Sequence, residues 1–147
     1  MRQILLKGVL GLLSASLIQS VSAAPMLHDY ADVLANLKRG NSVNVAVNLA
    51  QCSPLAGTEQ SQSQAGMQIK AYRLTRSGDL SFADEHFAVT DDGRPIRQLI
   101  RFTVQKNNAV DVRVWMFRLP SYSLYQRPFA YSCHLDQGVD LNVAFSN

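Results

Sequence analysis

The segment IRQLIRFTVQKNNAVDVRVWMF, residues 96–117, decides the fold because it holds two runs with apolar side chains at even-numbered positions. The two apolar stripes can share one buried face only if paired residue numbers sum to an even number. Pairing Gln105 with Ala109 meets this condition and leaves a three-residue loop that ends in Asn108. Asparagine tolerates the left-handed backbone conformation that such loops require. The segment therefore predicts an antiparallel hairpin with a buried even-numbered face.

The opposite face of this hairpin carries the odd-numbered residues. The register places Arg101 opposite Arg113 and brings Arg97 and Trp115 to the same face. One interpretation is a solvated face whose end is packed with aromatic side chains. The other is a binding face for an anionic or aromatic ligand or for a protein partner, because arginine and tryptophan are favoured in such contacts. We keep Arg97, Arg101, Arg113 and Trp115 as a candidate binding face.

Further strands are indicated on both sides of the hairpin. SVNVAVNLAQC, residues 42–52, alternates valine with asparagine or alanine and predicts a strand with one buried face. Residues 53–66 lack periodicity and predict a mobile loop. From residue 67 onward, turns recur about every ten residues. Strands are expected at residues 67–76, 80–90, 129–133 and 139–145, the last two forming a second hairpin with Cys133 opposite Val139.

An amphipathic helix is expected before these strands, over residues 30–39. Tyr30, Val33 and Leu37 recur at helical spacing, and Asp29 is a suitable N-cap. A helix this short is unstable alone and must pack on the sheet. The predicted fold class is therefore mainly β (α+β): an antiparallel meander that forms a sandwich or a partly closed barrel, with one N-terminal helix packed on it and one disulfide.

The chain begins with the pattern of a secretory signal peptide. Arg2 and Lys7 supply positive charge, the apolar stretch of residues 8–18 is too short to cross a bilayer, and small residues precede Ala24. We predict that residues 1–23 are the signal peptide and that residues 24–147 form a single exported globular domain, periplasmic or secreted. A retained membrane anchor is the alternative.

The charge of the mature chain argues against a nucleic-acid partner. The whole chain has 14 Lys+Arg and 11 Asp+Glu, and loss of Arg2 and Lys7 with the signal leaves 12 against 11, or +1. Binding to nucleic acid needs a larger excess of positive charge. No other apolar stretch reaches the length of a membrane span, so none is expected in the mature chain.

The two cysteines, Cys52 and Cys133, are expected to form a disulfide, because an even pair in an exported chain indicates one. The neighbouring His134 suggests a nucleophile with its base. However, successive side chains of a strand point to opposite faces, so the two residues cannot readily meet. Zinc sites usually use closely spaced ligand pairs, which are missing here. No metal, cofactor or catalytic residue is therefore predicted.

Two other segments remain as candidates for function. FADEHF, residues 82–87, holds Asp84, Glu85 and His86, which could perform acid–base chemistry in a hydrolase-like enzyme; a polar strand bend is the simpler interpretation. The connection at residues 120–129 holds Tyr122, Tyr125 and Arg127, which are typical of recognition loops. Its tyrosines could equally fold back over the edge of the core.

The order of short phrases along the chain resembles a known family. These phrases are LKRG, QCS, FADEHFAV, GRPIRQLIRFTV, VRVWMFRLPSY and FAYSCHLDQGV. Together they resemble the VirK family of small exported bacterial proteins, named for a virulence-associated gene. The resemblance implies a periplasmic or secreted protein without an established activity, and it matches the two family cysteines with Cys52 and Cys133.

The expected function is that of an exported binding or accessory protein without catalytic activity. Its partner, a protein or a small molecule, is not identified by the sequence. Its oligomeric state is not predicted. The two alternatives are a hydrolase-like enzyme that uses Asp84, Glu85 and His86, and a carrier that holds a small ligand in the mouth of a barrel.

Overall fold

A computed structural model describes residues 24–55 and 57–144 of the chain, so the predicted signal peptide lies outside the described residues. The described residues form one α-helix and ten strands, and the fold is mainly β, as predicted. In chain order the elements are β1 (Met26–Leu27), α1 (Tyr30–Lys38), β2 (Val43–Asn48), a 3₁₀ turn (Leu49–Gln51), β3 (Ser53–Pro54), β4 (Gln64–Gln68), β5 (Tyr72–Leu74), β6 (Leu80–Val89), β7 (Pro95–Val104), β8 (Ala109–Arg118), β9 (Phe129–Leu135) and β10 (Gly138–Val143).

The strands form one sheet that curls into a half-barrel. Its order is β4-β2-β10-β9-β8-β7-β6-β5, with β1 added on β10 and β3 added on β9. Of the two predicted arrangements, the partly closed barrel is therefore the one that the chain adopts. We call the side that faces the core the inner face and the opposite side the outer face.

The hairpin of β7 and β8 has the predicted register. Val104 pairs with Val110 and Phe102 with Val112, so the even-numbered side chains share the inner face. Asn108 has a φ of 69°, the left-handed conformation expected at the end of the three-residue loop. These apolar pairs form the centre of the core, in which the Phe102 ring stacks on Phe82 at 5.2 Å.

The helix packs on the sheet as predicted, and its residues Val33 and Leu37 are buried. The Asp29 side chain caps its first turn by accepting a hydrogen bond from the backbone N–H of Asp32 at 2.8 Å. The helix is also held by the hairpin loop, because the backbone N–H of Tyr30 donates to the side-chain oxygen of Asn108 at 2.8 Å. The loop residue that shapes the hairpin therefore also positions the helix.

The second predicted hairpin, between residues 129–133 and 139–145, is wrong. β9 and β10 pair only at their adjacent ends, where His134 lies beside Gly138 in a parallel arrangement, and Cys133 pairs with Val110 instead of Val139. The free edge of β9 is taken by β3, with Ser53 opposite Ser132. β10 turns away and pairs with β2, so that this C-terminal strand lies between β2 and β9 in the sheet.

The predictions for residues 53–66 and 67–76 also need correction. The loop is shorter than predicted, because β3 and the first half of β4 fall within it. The single strand predicted at residues 67–76 is divided: β4 pairs with β2, whereas β5 pairs with β6. The chain therefore crosses from one end of the curled sheet to the other between Gln68 and Tyr72.

Candidate functional site

Cys52 and Cys133 are joined by a disulfide, as predicted, with a Cα–Cα distance of 4.5 Å. Both cysteines are buried, whereas His134 is exposed on the opposite side of β9. The imidazole Nδ1 of His134 lies 3.0 Å from the backbone oxygen of Leu135. The sulfur of Cys133 is therefore bonded and directed away from His134, which excludes a thiolate–imidazole pair at this site.

The outer face of β7 and β8 carries Arg97, Arg101, Arg113 and Trp115 in the predicted register. The guanidinium of Arg101 lies over the Trp115 ring, 5.2 Å from its centroid. Arg113, directly opposite Arg101, is exposed. Arg97 is 3.4 Å from the carboxylate of Glu85 on the neighbouring strand. We call these four residues the Arg/Trp face.

A shallow apolar cavity of about 330 Å³ lies on the Arg/Trp face. Apart from Arg101, it is lined mainly by the apolar side chains of Ala83, Leu99, Trp115 and Phe117. The Nε atom of Arg101 is buried there and has no hydrogen-bond partner within the described residues. A buried N–H group without a partner is unfavourable, so a shift of the Arg101 side chain that brought this group to an acceptor would stabilise it.

Two aromatic residues extend the Arg/Trp face: Phe117, which the predicted hairpin register already places opposite Arg97, and Phe87, which the predicted face omits. Phe87 on β6 and Phe117 on β8 lie on either side of Arg97 in the same row. The Phe87 side chain is 62% exposed. The sequence contains the information that places Phe87 on this face. Pairing Thr90 with Arg94 across the Asp91-Asp92-Gly93 turn brings Phe87 opposite Arg97.

The predicted recognition loop does not form one surface. Tyr122 is exposed and lies beside the Arg/Trp face, with the Arg97 guanidinium 5.7 Å from its ring centroid. Tyr125 instead lies under Arg118, at 5.3 Å. Arg127 packs against Gly57 and lines a cavity on the inner face. Tyr122 and Arg127 therefore lie on different sides of the sheet.

The inner face opens into a cavity of about 720 Å³ beside Arg127. Its floor is apolar and its rim is rich in glutamine, with Gln60, Gln62, Gln98 and Gln126 among the lining residues. The loop that forms one wall is held in place, because the Tyr131 hydroxyl donates to the backbone oxygen of Glu59 at 2.9 Å. This cavity corresponds to the barrel mouth of the predicted carrier.

Asp84, Glu85 and His86 are not brought together as an acid–base site. Asp84 and His86 lie on the inner face, where Asp84 is 3.6 Å from Lys70, whereas Glu85 lies on the outer face with Arg97. The small cavity beside Asp84 and His86, about 40 Å³, is otherwise lined by apolar residues and glycine. Its lining contains no hydroxyl or thiol that these groups could activate.

Two negative findings apply to the part of the chain that the structure describes. No group of three His, Cys, Asp or Glu side chains there is close enough to hold a metal ion. No helix among residues 24–55 and 57–144 is long and apolar enough to cross a membrane.

The sequence of this chain matches the model of a known protein family. Residues 26–122 match the model of the family described as VirK protein. The chain belongs to the VirK family. The match covers the segment from β1 to the Pro120 loop and thus includes the whole Arg/Trp face. This confirms the resemblance inferred from short phrases of the sequence.

Two curated relatives are similar over nearly their whole length. One is an uncharacterized protein in the pinF2 3′ region of Rhizobium radiobacter, 35% identical over 90% of this chain and 94% of its own. The other is the uncharacterized protein y4wH of Sinorhizobium fredii (strain NBRC 101917 / NGR234), 28% identical over 88% of this chain and 90% of its own.

A crystal structure shows the same fold. It is that of lpg1832, a VirK family protein from Legionella pneumophila, which superposes with a TM-score of 0.70. The alignment covers 81% of this chain and 98% of the other, at 16% sequence identity. The half-barrel is therefore shared by family members whose sequences have diverged widely.

Proposed function

We propose that this VirK-family protein is exported and acts outside the cytoplasm as a binding or accessory protein, with its Arg/Trp face docking an acidic and partly apolar segment of a partner protein. The observation that carries the proposal is Arg101, whose guanidinium lies over Trp115 beside an apolar cavity and whose buried Nε has no hydrogen-bond partner within the described residues. A role in virulence or host association is part of the proposal through the family resemblance.

The charges of the Arg/Trp face favour an acidic partner. Arg97 has Glu85 as a counter-ion, but Arg101 and Arg113 have no carboxylate within salt-bridge distance among the described residues. A carboxylate placed between Arg101 and Arg113 would relieve their mutual repulsion and accept charged hydrogen bonds from their guanidinium groups. An apolar side chain beside it would fill the cavity next to Trp115. Buried tryptophan and arginine are the residues that most often dominate protein interfaces.

Trp115 provides a direct assay, because it is the only tryptophan of the chain. Short synthetic peptides that combine acidic and aromatic residues should change its fluorescence on titration, whereas peptides of reversed charge should not. Binding should weaken as salt is added, because exposed charges are screened.

Arg101→Ala tests the proposed contact. Loss of the ring contact and of a charged hydrogen bond should weaken peptide binding by roughly tenfold or more. Arg39→Ala is the matched control, since it removes the same charge from an exposed position next to the helix. Equal affinity of both variants for the peptide would disprove binding at the Arg/Trp face.

Export is tested separately from binding. Protein recovered from the periplasm or the medium should begin at Ala24 by intact mass, because the signal-peptide pattern ends at Ala23. Cells that keep the full-length chain in the cytoplasm would contradict this part of the proposal and leave the binding assay unaffected.

The inner-face cavity favours a second candidate function, that of a small-ligand carrier. Its volume of about 720 Å³ is within the usual range for ligand sites. A fluorescent fatty-acid probe should bind the purified protein, and Met116→Trp, which narrows the cavity, should reduce that binding. Leu74→Trp adds the same ring at an exposed position of β5 and is the control. Unchanged probe binding in Met116→Trp would refute the carrier.

A further inference from the structure

One long strand of the half-barrel has an edge that is only partly used. β6 pairs with β7 along its whole length, from Leu80 opposite Val104 to Val89 opposite Pro95. On its other side, β5 pairs only with Leu80, Ser81 and Phe82. Within the described part of the chain, residues 83–89 therefore have no strand on their second edge.

The backbone groups at this edge follow from the pairing pattern. The backbone N–H of Thr90 donates to the oxygen of Arg94 at 3.0 Å, which makes this a hydrogen-bonded pair of the turn. Hydrogen-bonded pairs alternate along antiparallel strands, so the even-numbered residues of β6 bond to β7. The N–H and C=O groups of Ala83, Glu85, Phe87 and Val89 then point away from β7, toward the unpaired edge.

Of the usual protections of an edge strand, residues 83–89 have only charged side chains, Asp84 and Glu85. Native edge strands are commonly shortened, bulged, or broken by proline or lysine. This segment reads ADEHFAV and contains neither proline nor lysine. Its two large apolar side chains, Phe87 and Val89, are 62% and 59% exposed. The carboxylates at its other end, Asp84 and Glu85, each have a cation nearby, Lys70 and Arg97.

We propose that this edge is a self-association surface, at which the β6 strands of two copies pair antiparallel with Phe87 opposite Phe87 of the second copy. A twofold axis between two identical strands gives an antiparallel pair and a closed dimer. This register places Glu85 opposite Val89 and Asp84 opposite Thr90, so no carboxylate faces another. It also creates an aromatic cross-strand pair at the centre.

The neighbouring registers are less favourable for reasons visible in the fold. Centring the pair on Glu85 would set two carboxylates directly opposite each other. Centring it on His86 would set Thr90 of one copy opposite Phe82 of the other, where Tyr72 of β5 already lies. The register centred on Phe87 moves Thr90 two residues away from that position.

The dimer would join the two outer faces. The row Phe117–Arg97–Phe87 of one copy would continue directly into the same row of the second copy. Two Arg/Trp faces would then lie side by side on one continuous sheet. The dimer does not depend on a partner for that face, so the two proposals can fail independently.

Single-cysteine variants test the register. The native cysteines are bonded to each other, so an introduced thiol is the only one in the described part of the chain. Under mild oxidation Phe87→Cys should give a disulfide-linked dimer in high yield, because directly opposite residues lie within bonding distance. Glu85→Cys should not link to itself, but a mixture of Glu85→Cys and Val89→Cys should form mixed dimers. Equal linking of all three variants would indicate random collision and overturn the proposal.

Sedimentation and amide exchange test the dimer without cross-linking. The purified chain should pass from monomer to dimer with rising concentration, and the Glu85 and Phe87 amides should become protected only in the dimer. His86 and Ala88 amides, which face β7, should be protected at every concentration. Glu85→Pro removes an outward N–H and should weaken association by roughly tenfold or more, whereas Glu85→Ala should retain it. A chain that stays monomeric throughout would show that this edge does not bind a second copy.

Discussion

Removal of the Cys52–Cys133 disulfide should cost this protein a large part of its stability. The bridge spans 81 residues of the chain. In the chain-entropy description, closing a loop of that length in the unfolded state is worth about 4.5 kcal/mol. The usual stability of a folded domain is about 5–15 kcal/mol, so the bridge supplies from about a third to about nine-tenths of it.

Urea unfolding of the native chain, with and without a reducing agent, measures this loss in the free energy of unfolding. The two samples have the same sequence and differ only in the disulfide. With a slope of about 2 kcal/mol per M, a loss of about 4 kcal/mol should lower the midpoint by about 2 M. The double variant Cys52→Ala/Cys133→Ala is a second form without the bridge. Its midpoint should agree with that of the reduced chain, apart from a further, smaller loss of stability because the two sulfur atoms no longer contribute to packing.

The strand pairing around the bridge also predicts which part of the reduced chain should open first. The bridge holds β3 on the edge of β9, and the next backbone N–H, that of Leu55, donates to the oxygen of Ala130 at 2.8 Å. In the reduced chain, the Leu55 amide should lose its protection from hydrogen exchange before the paired amides of β7 and β8 do. A stability loss below about 1 kcal/mol would refute the argument, because the loop would then be closed by other contacts.

Three further predictions concern single positions. Gly138→Ala should cost about 3 kcal/mol or more in urea unfolding, because its Cβ would lie 2.6 Å from the Cys52 sulfur, whereas Gly40→Ala, with a similar positive φ in open space, should cost about 1 kcal/mol; equal losses would contradict this packing. Phe102→Ala should cost about 3–5 kcal/mol, and a loss under about 1 kcal/mol would mean that the inner face is not the core. A hydrogen bond from Thr90, aided by Arg94, holds the pKa of Asp92 below its ordinary value, so this carboxylate stabilises the fold above that value and ceases to do so as the pH falls through the lowered pKa. Asp92→Asn should therefore melt slightly below the native chain at neutral pH and together with it in strong acid; a difference that persists in acid would contradict this reasoning.

The local parts of the fold follow from the sequence because they depend on neighbours in the chain. The parity of apolar positions and the loop residue Asn108 determine the register of β7 and β8, and this register also predicts the membership of the Arg/Trp face. The helix follows in the same way from its spacing and its cap at Asp29.

The non-local pairings could not be read from the same patterns. Alternation in β9 shows that Tyr131 and Cys133 point inward, but it does not say which strand lies beside them. In the structure β9 lies between β8 and β3, and β10 pairs with β2 instead. Loop side chains obey no such alternation either, which is why Tyr122 and Arg127 were expected together and lie on opposite sides.

The pairing of the first strands with the last one has a consequence for how the chain matures. A polypeptide leaves a ribosome or a translocation pore with its N-terminus first, but β1 and β2 both need β10 as a neighbour, and Cys52 needs Cys133. The emerged N-terminal half therefore waits with open edges until nearly the whole chain has followed, since distant pairings are slow to form. The last strand, β10, is therefore the one whose arrival completes the sheet.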